Sequence, residues 1–159
     1  MSQELWQQLK SEAQQVIRQE PLLASYVYAC VLNHNSLQSA LSFILATKLA
    51  DDVMPVVTVR ELFDHAFEES PKIIEDVACD IKAVFERDAA VSTHLAAILY
   101  LKGFQSIQVH RLAHFLWNNN RNELALFMQS RNSEVFAVDI HPACKIGRGI
   151  MFDLSLIHI

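Results

Sequence analysis

The chain has 159 residues, of which 52% are hydrophobic, and its mean hydropathy is +0.17. The formal net charge of −5 and the pI of about 5.7 argue against DNA or RNA binding, which requires a basic surface. No apolar run approaches the roughly 18 residues of a membrane span, and the polar start MSQELWQQLKSE is unlike a signal peptide, so we expect a cytoplasmic protein with no membrane partner.

Helical periodicity runs through most of the chain, and only three Gly and four Pro are available to interrupt it. Near the N-terminus Leu5, Leu9 and Ala13 recur every four residues, which is one face of an amphipathic helix. Pro21 suits the first turn of the next helix, where its missing N–H leaves no bond unmade. Seven helices are predicted in chain order, at residues 3–19, 21–32, 36–50, 58–67, 70–88, 93–117 and 122–135.

Several residues mark where these helices begin, end or bend. Ser36 is a predicted N-cap of the third helix, and Thr58 with Glu61 forms a T-x-x-E capping box for the fourth. Asp88 lies where the fifth helix should end. Gly103, inside the sixth helix, predicts a kink or a close approach by a neighbouring segment.

The spacing of apolar residues changes beyond the last helix. Ile140, Ile146 and Phe152 are six residues apart, and so are Cys144 and Ile150. Helical periodicity does not give this spacing, whereas a six-residue repeat with an inward aliphatic residue is typical of a β-helix. The pattern predicts that a β-helix begins here.

Three stretches resemble the bacterial serine acetyltransferases (serine O-acetyltransferases). LYLKGFQSIQVHRLAHFLW (Leu99–Trp117) is similar to that family's long helix, and VDIHPACKIGRGIMFD (Val138–Asp153) to the start of its left-handed β-helix. Residues 20–60 are similar to the N-terminal helical domain of the same family. The resemblance covers residues 1–153 and implies a mainly α fold, with a helical domain at 1–137 followed by the beginning of a left-handed parallel β-helix.

The resemblance implies an acyltransferase that moves an acetyl group from acetyl-CoA to the hydroxyl of L-serine. The product, O-acetylserine, is used in cysteine biosynthesis. Acetyl-CoA is then a co-substrate, and neither a tightly bound cofactor nor a metal is expected. The family also implies homo-oligomers built from trimers, up to a hexamer, and O-acetylserine sulfhydrylase as a partner that docks on the C-terminus.

Two carboxylates match functional positions of the family. Asp88 matches the aspartate that binds serine, although Ala89 stands where the family has proline. Asp153 matches the aspartate of an Asp–His pair, in which the carboxylate orients the imidazole that acts as general base. The resemblance therefore implies Asp88 as a substrate-binding residue and Asp153 as a catalytic, orienting residue.

The resemblance stops after Asp153, because Leu154 stands where the family has histidine. A second histidine, an arginine and the coils that bind CoA are also expected further along, so the chain as written is expected to be inactive. LSLIHI back-translates to CTG-TCT-CTT-ATA-CAC-ATC, a transposon end of common sequencing adapters, and residues 154–159 are interpreted as a non-native tail. His158 is then not a candidate base, and Ile159 is not a docking residue.

The remaining candidate groups have structural interpretations. Cys30, Cys79 and Cys144 contain no CxxC pair and are interpreted as reduced, mostly buried thiols. His110 and His114 are four residues apart, a spacing that metal sites use, but no H-E-x-x-H pattern or third ligand accompanies them. A packed or surface pair is therefore favoured over a metal site.

Two functional alternatives remain open from the sequence. The chain could be a catalytically dead helical module for oligomerisation or partner binding. It could also be an acetyltransferase of the same superfamily with another acceptor. The DNA beyond the codon for Asp153 separates the first alternative from the enzyme, and a panel of hydroxyl and amine acceptors separates the second.

Overall fold

Helices account for nearly all of the chain up to Phe136 in a computed structural model that describes residues 1–156. None of the helices within these residues is long and apolar enough to cross a membrane. His158 and Ile159 lie outside the described residues. The elements are α1 (Ser2–Gln19), a 3₁₀ turn (Pro21–Leu23), α2 (Ala24–Val27), a π-helical turn (Tyr28–Leu32), α3 (Leu37–Leu49), α4 (Val56–Glu69), α5 (Lys72–Arg87), α6 (His94–Tyr100), α7 (Lys102–Asn118) and α8 (Asn122–Phe136).

Two helices, α3 and α7, form the centre of the bundle. Both are buried on nearly every side, and α3 packs against α4 while α7 packs against α8 and also contacts α4 and α5. The turn from α7 to α8 is short, with Asn120 in the left-handed conformation at φ 60°. In α7 the buried residues include Gln105, Ser106, Gln108, His110 and Arg111, so this central helix carries polar groups into the core.

Most predicted helix ends are confirmed, and one is wrong. Ser36 caps α3, accepting a hydrogen bond at 3.2 Å from the amide three residues on, and Thr93 caps α6 in the same way at 3.1 Å. The capping box at Thr58 is wrong, because α4 begins at Val56 and places Thr58 inside its first turn. Pro55 explains the earlier start, since its φ of −69° favours helix entry and its carbonyl accepts from the Thr58 amide.

The predicted sixth helix is divided into α6 and α7 by Leu101, which is extended at φ −90° and ψ 111°. A half-buried lysine and a buried glutamine bind the carbonyl groups that this break releases. The Lys48 ammonium donates to the Leu99 carbonyl at 3.2 Å, and the Gln105 amide donates to the Ile98 carbonyl at 2.9 Å. Lys48 also donates to the Gln105 amide oxygen at 3.0 Å, so the two groups support the break together.

The predicted β-helix start is not formed among the described residues, which contain no β-strand after Phe136. Ile140, Ile146 and Phe152 are half-buried at the expected six-residue spacing, but Cys144 of the second series is exposed. Coils of a repeat architecture are stabilised by stacking on their neighbours. Residues 138–156 alone are too few to supply a second and a third coil against which their backbone could pair.

The three cysteines are free, but only Cys30 is buried. Its burial raises the pKa of the thiol. Cys79 is half-buried and Cys144 is exposed, so the prediction of mostly buried thiols is wrong for Cys144. The reason is local, because Cys144 turns its backbone carbonyl rather than its side chain toward α7.

Replacing Ser36 with Ala should lower the free energy of unfolding by about 1 kcal/mol, because the α3 amide loses its cap. The matched change Thr58→Ala removes an exposed hydroxyl inside α4 and should stay within about 0.5 kcal/mol of the wild type. Urea denaturation of both variants measures the difference. A larger loss for Thr58→Ala than for Ser36→Ala would contradict the assigned start of α4.

Candidate functional site

A fully buried carboxylate, Asp80 of α5, joins two helices to the chain beyond them. Its Oδ2 accepts hydrogen bonds from Arg111 Nη2 at 2.6 Å and Nε at 3.2 Å, and from the Gln108 amide at 2.9 Å. Its Oδ1 accepts from the backbone N–H groups of Gly149 at 2.8 Å and Ile150 at 2.9 Å. We call Asp80, Gln108 and Arg111 the clasp. Both oxygens of the carboxylate are therefore used, one by α7 and one by the segment after α8.

Two arginines bind carbonyl groups of the same segment. Arg111 Nη2 donates to the Gly147 carbonyl at 2.9 Å while it also holds Asp80. Arg87, at the end of α5, donates to the Gly149 carbonyl at 2.8 Å. Residues 142–150, called here the docked segment, are thus held through their backbone carbonyl and amide groups.

The histidines His110 and His114 of α7 bind the docked segment as well. His110 Nε2 donates to the Cys144 carbonyl at 2.9 Å, and His114 Nδ1 donates to the Pro142 carbonyl at 2.7 Å. Their rings stack with centroids 5.9 Å apart. The interpretation as a packed pair is confirmed by these bonds. The part of the chain that the structure describes contains no group of three or more His, Cys, Asp or Glu side chains arranged for a metal ion.

Beyond the docked segment the chain crosses the start of α7 at Gly103. A Cβ atom at Gly103 would overlap the Phe152 carbonyl oxygen, so only glycine allows this approach. The expectation of close packing at Gly103 is confirmed, whereas the break in the helix occurs two residues earlier, at Leu101. The contact fixes the direction in which the chain continues to Asp153.

The contact at Gly103 closes one side of a pocket of about 260 Å³, called here the acidic pocket. Asp88 and Asp153, the two site residues predicted from the sequence, both line it. They come from the end of α5 and from the chain beyond Phe152, and the start of α7 forms the third wall. The full lining is Asp88, Tyr100, Leu101, Lys102, Gly103, Phe152, Asp153, Leu154 and Ser155.

Local turns orient the two carboxylates. Asp88 is the half-buried C-cap of α5, and its Oδ1 accepts from the Ala90 amide at 2.9 Å, so the turn forms although Ala89 replaces the proline of the family. Asp153 is exposed, and its Oδ1 accepts from the Ser155 amide at 3.2 Å and hydroxyl at 3.1 Å. Within residues 1–156 neither carboxylate forms a salt bridge.

The clasp was not predicted from the sequence, although α5 carries a signal for it. Asp80 lies on the apolar face of α5 with Val77 and Val84, three and four residues away, where a charge needs a buried partner. A carboxylate in an apolar stripe therefore indicates an internal ion pair. Its partner Arg111 could not be named, because the two residues are 31 positions apart.

Comparisons with known proteins place the chain in a family. A family model described as "Serine acetyltransferase, N-terminal" matches residues 5–109. The chain belongs to the serine acetyltransferase family. It is 48% identical over 153 residues to the serine acetyltransferase of Haemophilus influenzae, covering 96% of this chain and 57% of that relative.

Solved structures of serine acetyltransferases have the same fold. One in complex with CoA matches with a TM-score of 0.95 and 48% identity, covering 96% of this chain and 65% of that one. The soybean serine acetyltransferase complexed with serine matches with a TM-score of 0.92 and 43% identity, covering 96% and 63%. The chain spans a little over half the length of the Haemophilus influenzae relative.

The free energy of unfolding should depend on pH through the protonation of His110. Burial lowers the pKa of His110 and outweighs the opposing effect of its hydrogen bond to the Cys144 carbonyl, and the charges of His114 and Arg111 add smaller lowering effects. The Nδ1 atom of His110 has no hydrogen-bond partner among the described residues. The native chain therefore binds this proton less readily than the unfolded chain. The resulting stability is complete above the ordinary pKa of about 6.5 and is lost as the pH falls toward the lowered value.

His110→Gln should therefore flatten the fall in unfolding free energy between about pH 7 and pH 5, by at most about 1.4 kcal/mol per pH unit. The matched control is His65→Gln, because His65 is exposed on α4. Urea denaturation across this pH range gives the slopes. Equal slopes for wild type and His110→Gln would contradict the assigned environment of His110.

Gly103→Ala should displace Phe152, because the new methyl group would overlap the Phe152 carbonyl oxygen. We expect chymotrypsin to cleave after Phe152 several-fold faster in this variant, since the displaced chain is more accessible. Gly147→Ala is the control, as a Cβ there meets nothing within 4 Å. Equal cleavage rates in the two variants would show that the Gly103 contact does not hold Phe152.

Proposed function

We propose that this chain carries the amino-acid-binding part of the active site of a serine O-acetyltransferase. The reaction is transfer of an acetyl group from acetyl-CoA to the L-serine hydroxyl, which gives O-acetylserine for cysteine biosynthesis. The observation that carries the proposal is the convergence of Asp88 and Asp153 on one pocket in a member of this family. The serine bound to the soybean relative and the CoA bound to another member support the choice of substrates.

Asp88 is proposed to bind the ammonium group of L-serine. A half-buried carboxylate attracts a cation more strongly than one in bulk water, because the effective dielectric constant is lower. Its Oδ1 is fixed by the Ala90 amide, which leaves Oδ2 for a ligand. Lys102 lines the same pocket and supplies a positive charge for the substrate carboxylate. Together these groups match the two charges of a small zwitterion.

Asp153 is proposed as the carboxylate that orients a histidine base. In that role it would fix the imidazole tautomer and stabilise the imidazolium formed when the serine hydroxyl loses its proton. No histidine lines the acidic pocket within the described residues, and Leu154 follows Asp153. We therefore expect no acetyl transfer by these 159 residues alone, since general acid–base catalysis contributes roughly 10²–10⁴-fold.

The domain boundaries are proposed at residues 137 and 153. The helical domain, residues 1–137, is supported by the end of α8 at Phe136 and by the left-handed conformation of Ala137, φ 59°. Residues 138–153 are proposed as the start of a left-handed β-helix that forms when further coils stack on it. Residues 154–159 are proposed to be non-native, because the family resemblance stops at Asp153 and LSLIHI can be back-translated to an adapter sequence.

A homo-oligomer built from trimers, up to a hexamer, is proposed for the assembled protein. Exposed apolar side chains support self-association, among them Leu22 at 97%, Val53 at 91% and Val57 at 68% exposed. The same exposed side chains support the second candidate function, a helical oligomerisation or partner-binding module. O-acetylserine sulfhydrylase as a partner, and a cytoplasmic location, are proposed from the family resemblance.

The gene product should be tested after the source gene is sequenced through the codon for Asp153 and expressed from intact genomic DNA. We expect release of CoA from acetyl-CoA in the presence of L-serine. In that protein Asp88→Asn should raise KM for L-serine roughly tenfold or more, because a hydrogen bond to a charged group is worth about 1.5–3 kcal/mol. KM for acetyl-CoA should not change.

Glu86→Gln is the matched control, because Glu86 is exposed two residues before Asp88 and does not line the acidic pocket. This variant should have the KM values of the wild type. A gene product that transfers no acetyl group to L-serine would overturn the enzyme proposal and favour the helical module. Equal KM values for Asp88→Asn and Glu86→Gln would remove Asp88 from the substrate site.

A further inference from the structure

We propose that Asp80 and Arg111 are positioning residues of the acidic pocket, which hold Asp153 opposite Asp88 and thereby set the affinity for the amino acid. The role of the pocket rests on the proposed function. The hold of Asp80 on the amides of Gly149 and Ile150 follows from the contacts of the clasp alone. Neither Asp80 nor Arg111 lines the acidic pocket, so both act through the chain that they hold.

The clasp joins the three walls of the acidic pocket. Asp80 lies on α5, eight residues before Asp88 at the end of that helix. Arg111 lies on α7, eight residues after Gly103. Eight helical residues span about 12 Å, and the two helices are rigid over this distance. The remaining wall begins at Phe152, two residues after Ile150, whose amide binds Asp80. One ion pair therefore sets the position of all three walls.

A carboxylate at residue 80 is required by the groups around it. Five N–H donors converge on its two oxygens: two from Arg111, one from Gln108 and the amides of Gly149 and Ile150. Asparagine has a similar shape but only one acceptor oxygen, so one set of donors must face its NH₂ group. The oxygen is expected to stay with the buried guanidinium, since an unpaired buried charge costs more than an unpaired amide. Asp80→Asn should thus release the amides of Gly149 and Ile150, at the end of the docked segment that leads to Phe152.

Asp76 provides a matched control for Asp80. It lies one turn earlier on α5, is 7% exposed, and is also close to Arg111, with 3.9 Å between its Oδ2 and Nη1. Its hydrogen bond within the described residues comes from Lys72 at 2.7 Å, on the same helix, and not from the docked segment. Asp76→Asn therefore removes a negative charge beside Arg111 without removing an acceptor from Gly149.

The test compares wild type, Asp80→Asn and Asp76→Asn in the full 159-residue chain by NMR. Three quantities are measured: the hydrogen exchange of the Gly149 and Ile150 amides, the nuclear Overhauser contact between Gly103 and Phe152, and the Kd for L-serine. For Asp80→Asn we expect exchange at least roughly tenfold faster, a weakened Gly103–Phe152 contact and a Kd raised roughly tenfold, the effect of losing about one charge-assisted bond. Asp76→Asn should match the wild type in all three.

Asp80→Asn with wild-type exchange and an intact Gly103–Phe152 contact would overturn the proposal. Equal changes in Asp80→Asn and Asp76→Asn would also overturn it, because they would indicate a general loss of stability. If wild type binds no L-serine, the proposed function fails while exchange and the Gly103–Phe152 contact still decide the positioning role. If Asp80→Asn does not fold, Arg111→Lys is used, since lysine keeps the charge but cannot bond both Asp80 and Gly147 as arginine does.

Discussion

The organisation of the molecule depends on one buried carboxylate. Asp80 is fully buried, and removing its charge from water is costly unless both oxygens are satisfied. Arg111 and Gln108 satisfy one oxygen, and the amides of Gly149 and Ile150 satisfy the other. The carboxylate is therefore stable only when α5, α7 and the docked segment come together. This condition fixes the docked segment against the helical domain.

The geometry of the acidic pocket follows from the contact of α5, α7 and the docked segment at Asp80. Because α5 ends at Asp88 and α7 begins next to Gly103, fixing the two helices fixes two walls of the acidic pocket. The docked segment then brings Phe152 across Gly103, and Asp153 follows at the rim. A structural ion pair and the proposed substrate site are in this way mechanically linked. Such a link lets two exposed or half-buried carboxylates keep a defined separation without any direct bond between them.

The sequence predicted the helices well where local chemistry determines them. Ser36 has the N-cap chemistry that its position requires, and the structure confirms it. Thr58 was misread because Pro55 starts α4 earlier, and a proline start competes with a capping box in the same few residues. The break at Leu101 was missed because Lys48, 51 residues from Leu99 in the sequence, donates to the carbonyl that the break leaves free. Tertiary hydrogen bonds of this kind leave no local pattern.

The site was predictable only in part. Asp88 and Asp153 were named by family resemblance, and the structure places both on one pocket, which spacing alone could not show because they are 65 residues apart. The hexapeptide pattern predicted strands that the described residues lack, since a first coil needs stacked neighbours. The clasp was missed because Asp80 and Arg111 meet only in the folded chain, although a charge on an apolar helix face was visible beforehand.

A crystal structure of the chain with bound L-serine tests the central claim most directly. We predict the amino acid in the acidic pocket, with its ammonium group on Asp88, its hydroxyl toward Asp153, and the Asp80 bonds to Gly149 and Ile150 intact. L-serine bound at another place, or bound in the pocket while residues 149–153 are detached from Asp80, would contradict the claim that the clasp builds the site.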